Sequence, residues 1–173
     1  MMITVAVAVI LLSIAIPSFT QLIDKKRLES AAESLYADLQ FARSEAIKRN
    51  KTIRVSFNTD TDGSIWCYGL KVNDHCNCQQ TDPKHSEFCW LYQDKPDNEN
   101  GISTSVSSAE FKRIILTSAV SYFSFTPLRG TVNGGHVEFQ SANNKKLQVV
   151  VSRLARVRLC SPSEGHVNGY PVC

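Results

Sequence analysis

The chain has 173 residues, 43% of them hydrophobic and 20% charged, which excludes an intrinsically disordered polypeptide. A formal net charge of +3 is too small to announce a polyanion partner, so where the charges fall matters more than their sum. With the apolar N-terminus set aside, about 150 residues remain, enough for one domain with a core of its own.

Residues 1–16 are apolar apart from Thr4 and Ser13, and the run continues through Pro17, Phe19, Leu22 and Ile23. As a helix, residues 2–23 measure about 33 Å at ~1.5 Å per residue, enough to cross a bilayer core. A cleaved signal peptide opens with basic residues and ends in small ones. This segment does neither, and the reading is a membrane anchor. Pro17 removes one helical hydrogen bond, so a kink or local unwinding is expected there. Lys25, Lys26 and Arg27 follow the apolar run directly. Positive charge just past a span holds that side in the cytoplasm, unless a basic leader once preceded Met1. The cysteines described below place the head outside, so a lost leader is expected.

From residue 24 to 50 the pattern becomes amphipathic. Leu28, Ala32, Leu35, Leu39, Ala42 and Ala46 form one apolar stripe at helical spacing, and no glycine or proline interrupts it. One long helix results, its first half suited to lipid or a helical bundle and its second half to packing on a sheet. Strands are expected at 53–57, 64–72, 88–92, 111–116, 120–125 and 136–140, with 147–151 and 155–159 as a closing hairpin. Residues 73–83 read as a cysteine-rich loop and 94–101 as a polar one; 126–130 read as a turn. The fold class is therefore α+β, a long N-terminal helix packed on an antiparallel β-sheet. Two segments are expected, 1–23 as the transmembrane or filament-core half of the helix and 24–173 as an exported head.

Six cysteines, Cys67, Cys76, Cys78, Cys89, Cys160 and Cys173, form an even set typical of disulfides in an oxidising compartment. Zinc competes for His75, Cys76, Cys78, His85 and Cys89, but paired metal-ligand spacings do not occur. A Cys160–Cys173 bridge is expected to tie down the proline- and glycine-rich tail, closing a loop of about 14 residues worth roughly 3 kcal/mol. The remaining four cysteines allow three pairings, which the sequence does not choose between. Phosphate loops, dinucleotide fingerprints, nucleophile elbows and histidine triads are not found, so neither an enzyme nor a cofactor or metal is expected.

The apolar helix ending Ala15-Ile16-Pro17-Ser18-Phe19 resembles the N-terminal helix of type IV pilins and type II secretion pseudopilins. Phe125-Thr126-Pro127-Leu128-Arg129-Gly130, followed by Val137-Glu138-Phe139, is similar to the F-x-P-x-R-G strand and turn of the FimT/GspH minor pilins. Residues 147–152 and 156–160 look like that family's C-terminal hairpin. The family's leader, cleavage glycine and early glutamate are not matched, because Met1-Met2-Ile3-Thr4 aligns just beyond that glutamate. Its G-R-x-R reads Ala155-Arg156-Val157-Arg158, and a positive φ there costs alanine about 1 kcal/mol. The resemblance implies a minor pilin that joins other pilins through the N-terminal helix. It also implies residence in the inner membrane as a single-pass protein with a periplasmic head before assembly. In the FimT branch it further implies DNA uptake in natural transformation, with the hairpin arginines on DNA.

The chemistry of the hairpin bears on that last point. Residues 139–163 contain no carboxylate, yet hold Lys145, Lys146, Arg153, Arg156 and Arg158. Arg156 and Arg158 share one face of a strand, and Arg153 lies in the preceding turn. Such a cluster suits sequence-independent phosphate contacts, with Asn143, Asn144 and Asn168 as neutral hydrogen-bonding groups. The alternative is a structural pseudopilin of a type II secretion filament whose arginines guard a strand edge or touch other subunits.

Overall fold

The computed structural model describes residues 2–91, 103–127 and 132–173, with side chains from Phe19 onward. A single helix, α1 (Met2–Arg49), leads into eight strands: β1 (Ile53–Thr59), β2 (Trp66–Val72), β3 (Ser105–Ser107), β4 (Ile114–Ala119), β5 (Tyr122–Phe125), β6 (Gly135–Ser141), β7 (Lys146–Val151) and β8 (Val157–Cys160). The helix is unbroken through Pro17, so the unwound turn expected there is not formed. The missing N–H and the crowding of the proline ring are accommodated within one continuous helix of 48 residues. Asn50 ends the helix in the left-handed conformation (φ 51°), and the Lys51 N–H returns to the Ala46 carbonyl at 3.2 Å. Among the described residues no helix is long and apolar enough to cross a membrane. Of the predicted anchor, residues 1–23, the side chains of residues 1–18 lie outside those described.

The strands form two four-stranded antiparallel sheets rather than the single sheet expected, in orders β3-β2-β1-β5 and β4-β6-β7-β8. The helix packs on both, chiefly on β6, β7, β1 and β8. Its predicted stripe is buried: Leu28, Leu35 and Leu39 are fully covered, and Ala32, Ala42 and Ala46, with Ala31 beside them, let the backbone approach the strands. Trp66 anchors the junction between the sheets. Its ring stacks on Phe111, lies 5.1 Å from Phe139, and donates its indole N–H to the Ile114 carbonyl at 3.0 Å.

Two strand expectations change, and one strand, β3, is unexpected. Residues 88–91 form no strand; Phe88, Cys89 and Leu91 are buried in an irregular segment that Cys89 ties to Cys76, and Tyr92 lies outside the described residues. The strand placed at 111–116 begins at Ile114, because Phe111 is held in a turn by its stacking on Trp66. β3 is a serine-rich edge strand without the apolar alternation that would mark it. The loop expected at 94–101, and Leu128, Arg129 and Gly130 of the predicted turn, lie outside the described residues.

Candidate nucleic-acid interface

All six cysteines are bridged: Cys67 to Cys78, Cys76 to Cys89, and Cys160 to Cys173. The first two pairs lay the loop that follows β2 across the outer face of the β1–β2 hairpin. There the Ser56 hydroxyl accepts from the Cys76 N–H at 3.3 Å, and the Lys71 ammonium donates to the Ser86 carbonyl. The third pair folds the C-terminal tail back beside β8. Ser161 bridges Val172 in parallel, and the Cys173 N–H donates to the Ser161 carbonyl at 3.2 Å. Further along the tail, the Tyr170 hydroxyl donates to Glu33 of α1 at 2.9 Å, and the tail carbonyl of Asn168 accepts from Lys25 at 3.0 Å.

The arginines sit on the last hairpin. β8 pairs with β7 in the register Val150 to Arg158 and Val151 to Val157, and it forms one edge of its sheet. Val157 is buried while Arg156 and Arg158 are exposed on the opposite face, as strand alternation requires. The connecting turn is tightly closed. The Ser152 N–H donates to the Arg156 carbonyl, the Arg156 N–H to the Ser152 hydroxyl, and the Ala155 N–H to the Ser152 carbonyl, at 2.9–3.2 Å. Ala155 has φ 55°. Its methyl is fully buried, which offsets part of the strain that alanine bears in that conformation. The Val132 N–H supports the turn from the side, donating to the Arg153 carbonyl at 3.2 Å. Arg153 is exposed next to this contact. Among the described residues, no carboxylate pairs with Arg153, Arg156 or Arg158.

The lysines lie elsewhere. Lys145 and Lys146 are at the start of β7, separated from Arg153 by the length of that strand, about 20 Å at ~3.3 Å per residue. Both are engaged: the Lys145 ammonium donates to the His166 carbonyl at 3.0 Å, and Lys146 lies 3.5 Å from Glu138. They belong with the β6–β7 turn, where Asn143 donates to the buried Asp24 of α1 at 3.1 Å and Asn144 accepts from Gln140 at 2.8 Å. Asn168 joins that end too, lining a groove of about 860 Å³ with Phe19, Leu22, Lys25 and the same turn. The five-cation patch read from the sequence is thus two separate groups, and among the described residues the three arginines have no carboxylate partner.

Glu138 is the residue that the reading missed, because it lies one position outside the acid-free window of 139–163. Strand alternation places it on the same outer face, opposite Gln148. Burial pushes its carboxyl up, but Gln148 donating at 2.6 Å, Thr117 donating at 2.7 Å and the Lys146 ammonium outweigh that and hold it below the ordinary glutamate value. From register it stands about 12 Å from Arg158, beyond one Debye length at physiological salt. Its charge is spent on Lys146, and the arginine field survives.

A long helix clasped by two antiparallel sheets, with a disulfide-tied tail and a basic edge hairpin, defines a pilin-like α+β protein. A family model described as type II transport protein GspH matches residues 31–155, from mid-helix to the closing turn. The chain belongs to this family of GspH/FimT-type minor pilins. No curated protein matches it. It is similar to two solved structures, the type IV minor pilin FimU of Pseudomonas aeruginosa and the minor pseudopilin EpsH from the Type 2 Secretion System of Vibrio cholerae. The FimU comparison has 21% identity over 84% of this chain and 99% of the other, with a TM-score of 0.49. For EpsH the values are 14% identity, 80% and 99%, with a TM-score of 0.48. The protein is a minor pilin or pseudopilin, of a family that assembles with other pilins into filaments.

Proposed function

We propose that this chain is a minor pilin of a type IV pilus that binds DNA without sequence preference and supports its uptake in natural transformation. Residues 1–23 serve as the membrane and filament-core half of the helix, leaving residues 24–173 as a periplasmic head before assembly. The observation that carries the DNA reading is the group of exposed arginines, Arg153, Arg156 and Arg158, without a paired carboxylate among the described residues. Guanidinium groups bond phosphate oxygens in a planar fork and need no base-specific geometry to do so. Three such contacts release few counterions, so a single head binds weakly and loses its grip as salt rises. Multiple heads, or a long polymer, restore the affinity.

The second reading, a structural pseudopilin of a type II secretion system, draws on the position of β8 at a sheet edge, where arginine blocks unwanted strand addition. A mobility-shift assay at low salt with the full chain in detergent separates the two. In the DNA reading the wild type shifts duplex DNA, Arg156→Gln/Arg158→Gln abolishes the shift, and Lys145→Gln/Lys146→Gln keeps it. Equal shifts for the wild type and the arginine variant, or no shift at all, favour the structural reading.

A further inference from the structure

At the tip of the arginine hairpin, between Arg153 and Arg156, the side chain of Leu154 is 77% exposed. A lone exposed leucine needs no explanation by itself. This one stands at the apex of a turn with an exposed arginine on one side at Arg153, and the next residue before Arg156 is an alanine in the left-handed region that favours glycine. The turn therefore breaks a local sequence preference at Ala155, yet three backbone and hydroxyl hydrogen bonds and the contact from Val132 hold it in one shape with Leu154 outermost. Local rules broken at a well-held point are a mark of function rather than of folding.

We infer that Leu154 is a specificity-determining contact: an apolar wedge that packs against bases exposed in unpaired or distorted DNA while the flanking arginines hold the phosphates. This rests on the DNA-binding reading above and deepens it by naming the form of DNA preferred. An apolar side chain flanked by cations can partly unstack a base step, and the cost of doing so is least where the bases are already unpaired. A lipid surface fits this tip less well. A single leucine buries too little apolar area to anchor a protein to a bilayer. The tip also lies at the far end of β7 from the β6–β7 turn, which touches Asp24 where the N-terminal half of α1 enters the head.

The test compares binding of the full chain in detergent to two probes, a continuous duplex and the same duplex carrying a short central single-stranded gap. Wild-type protein is expected to prefer the gapped probe about five-fold or more, which is within the reach of one partly buried leucine. Leu154→Ser removes that preference and leaves continuous-duplex binding within about two-fold, because its phosphate contacts are intact. An unchanged melting temperature for Leu154→Ser, expected of an exposed site, shows that the fold is kept. Binding to the continuous duplex with no preference for the gap, or a preference that survives Leu154→Ser, overturns the wedge alone. Failure of the wild type to bind either probe overturns the DNA reading along with it. Leu154→Ser weakening attachment to anionic vesicles but not to gapped DNA overturns the inference in favour of a lipid surface.

Discussion

Gly69 of β2 lies directly against Cys89: a Cβ built on it would sit 2.3 Å from the Cys89 Sγ and 3.3 Å from the Cys76 Sγ. The backbone of β2 is the floor on which the Cys76–Cys89 bridge rests, so no side chain fits at this position. A disulfide cannot swing aside as a flexible side chain would. Gly69→Ala is expected to destabilise the head by about 3 kcal/mol, the upper part of the range for overpacking. Urea unfolding reads this directly, and a change below about 1 kcal/mol would show that the loop is not seated as described.

The Cys160–Cys173 bridge, with a sequence separation of 13, fastens the end of a tail whose last three residues are exposed. Replacing both cysteines with alanine is expected to cost about 3 kcal/mol in the chain-entropy account of disulfides. The tail should also become the first site of protease cleavage, because loose termini open before the rest of a fold. Thermal unfolding together with limited proteolysis and mass spectrometry checks both outcomes. Arg158 lies two residues before Cys160, so DNA binding should weaken without being lost.

Acid sensitivity follows from Glu138. Its carboxyl is depressed below the ordinary value of 4.5 because the donors from Gln148, Thr117 and Lys146 outweigh the opposing effect of burial. A folded-state value below the unfolded one gives stability that is whole above about pH 4.5 and lost as pH falls through the depressed value. The urea midpoint of the wild type should therefore fall more steeply between about pH 5 and pH 3 than that of Glu138→Gln. Parallel curves would show that Glu138 makes no net electrostatic contribution.

The helix was legible from periodicity because Leu28, Leu35 and Leu39 repeat at a spacing that only a helix places on one face, and all three are buried. The hairpin was equally plain, since alternating residues such as Leu147, Val149 and Val151 mark a half-buried strand. What a linear reading could not see is pairing between distant segments. β3 carries serines, and its strand character comes from its partner β2 rather than from its own pattern. Division of the strands into two sheets depends on long-range contacts, among them the Trp66 ring lodged between Phe111 and Phe139. The separation of the lysines from the arginines is hidden from a linear reading for the same reason. Lys146 opens β7 and Arg153 lies just past its far end, and Glu138 neutralises the lysine. The pairing of Cys67 with Cys78 and of Cys76 with Cys89 likewise belongs to the fold rather than to cysteine spacing.

Salt dependence of binding shows whether the arginine hairpin, which has no carboxylate partner among the described residues, grips the DNA backbone. Full-length protein is titrated against a duplex of ~30 base pairs from ~50 to ~200 mM salt, and log K is plotted against log salt. Three arginine–phosphate contacts at ~0.9 each predict a slope of about −2.7, and Arg156→Gln/Arg158→Gln should reduce its magnitude by about 1.8. A slope that the double substitution leaves unchanged would contradict the account, as would no measurable binding at the lowest salt.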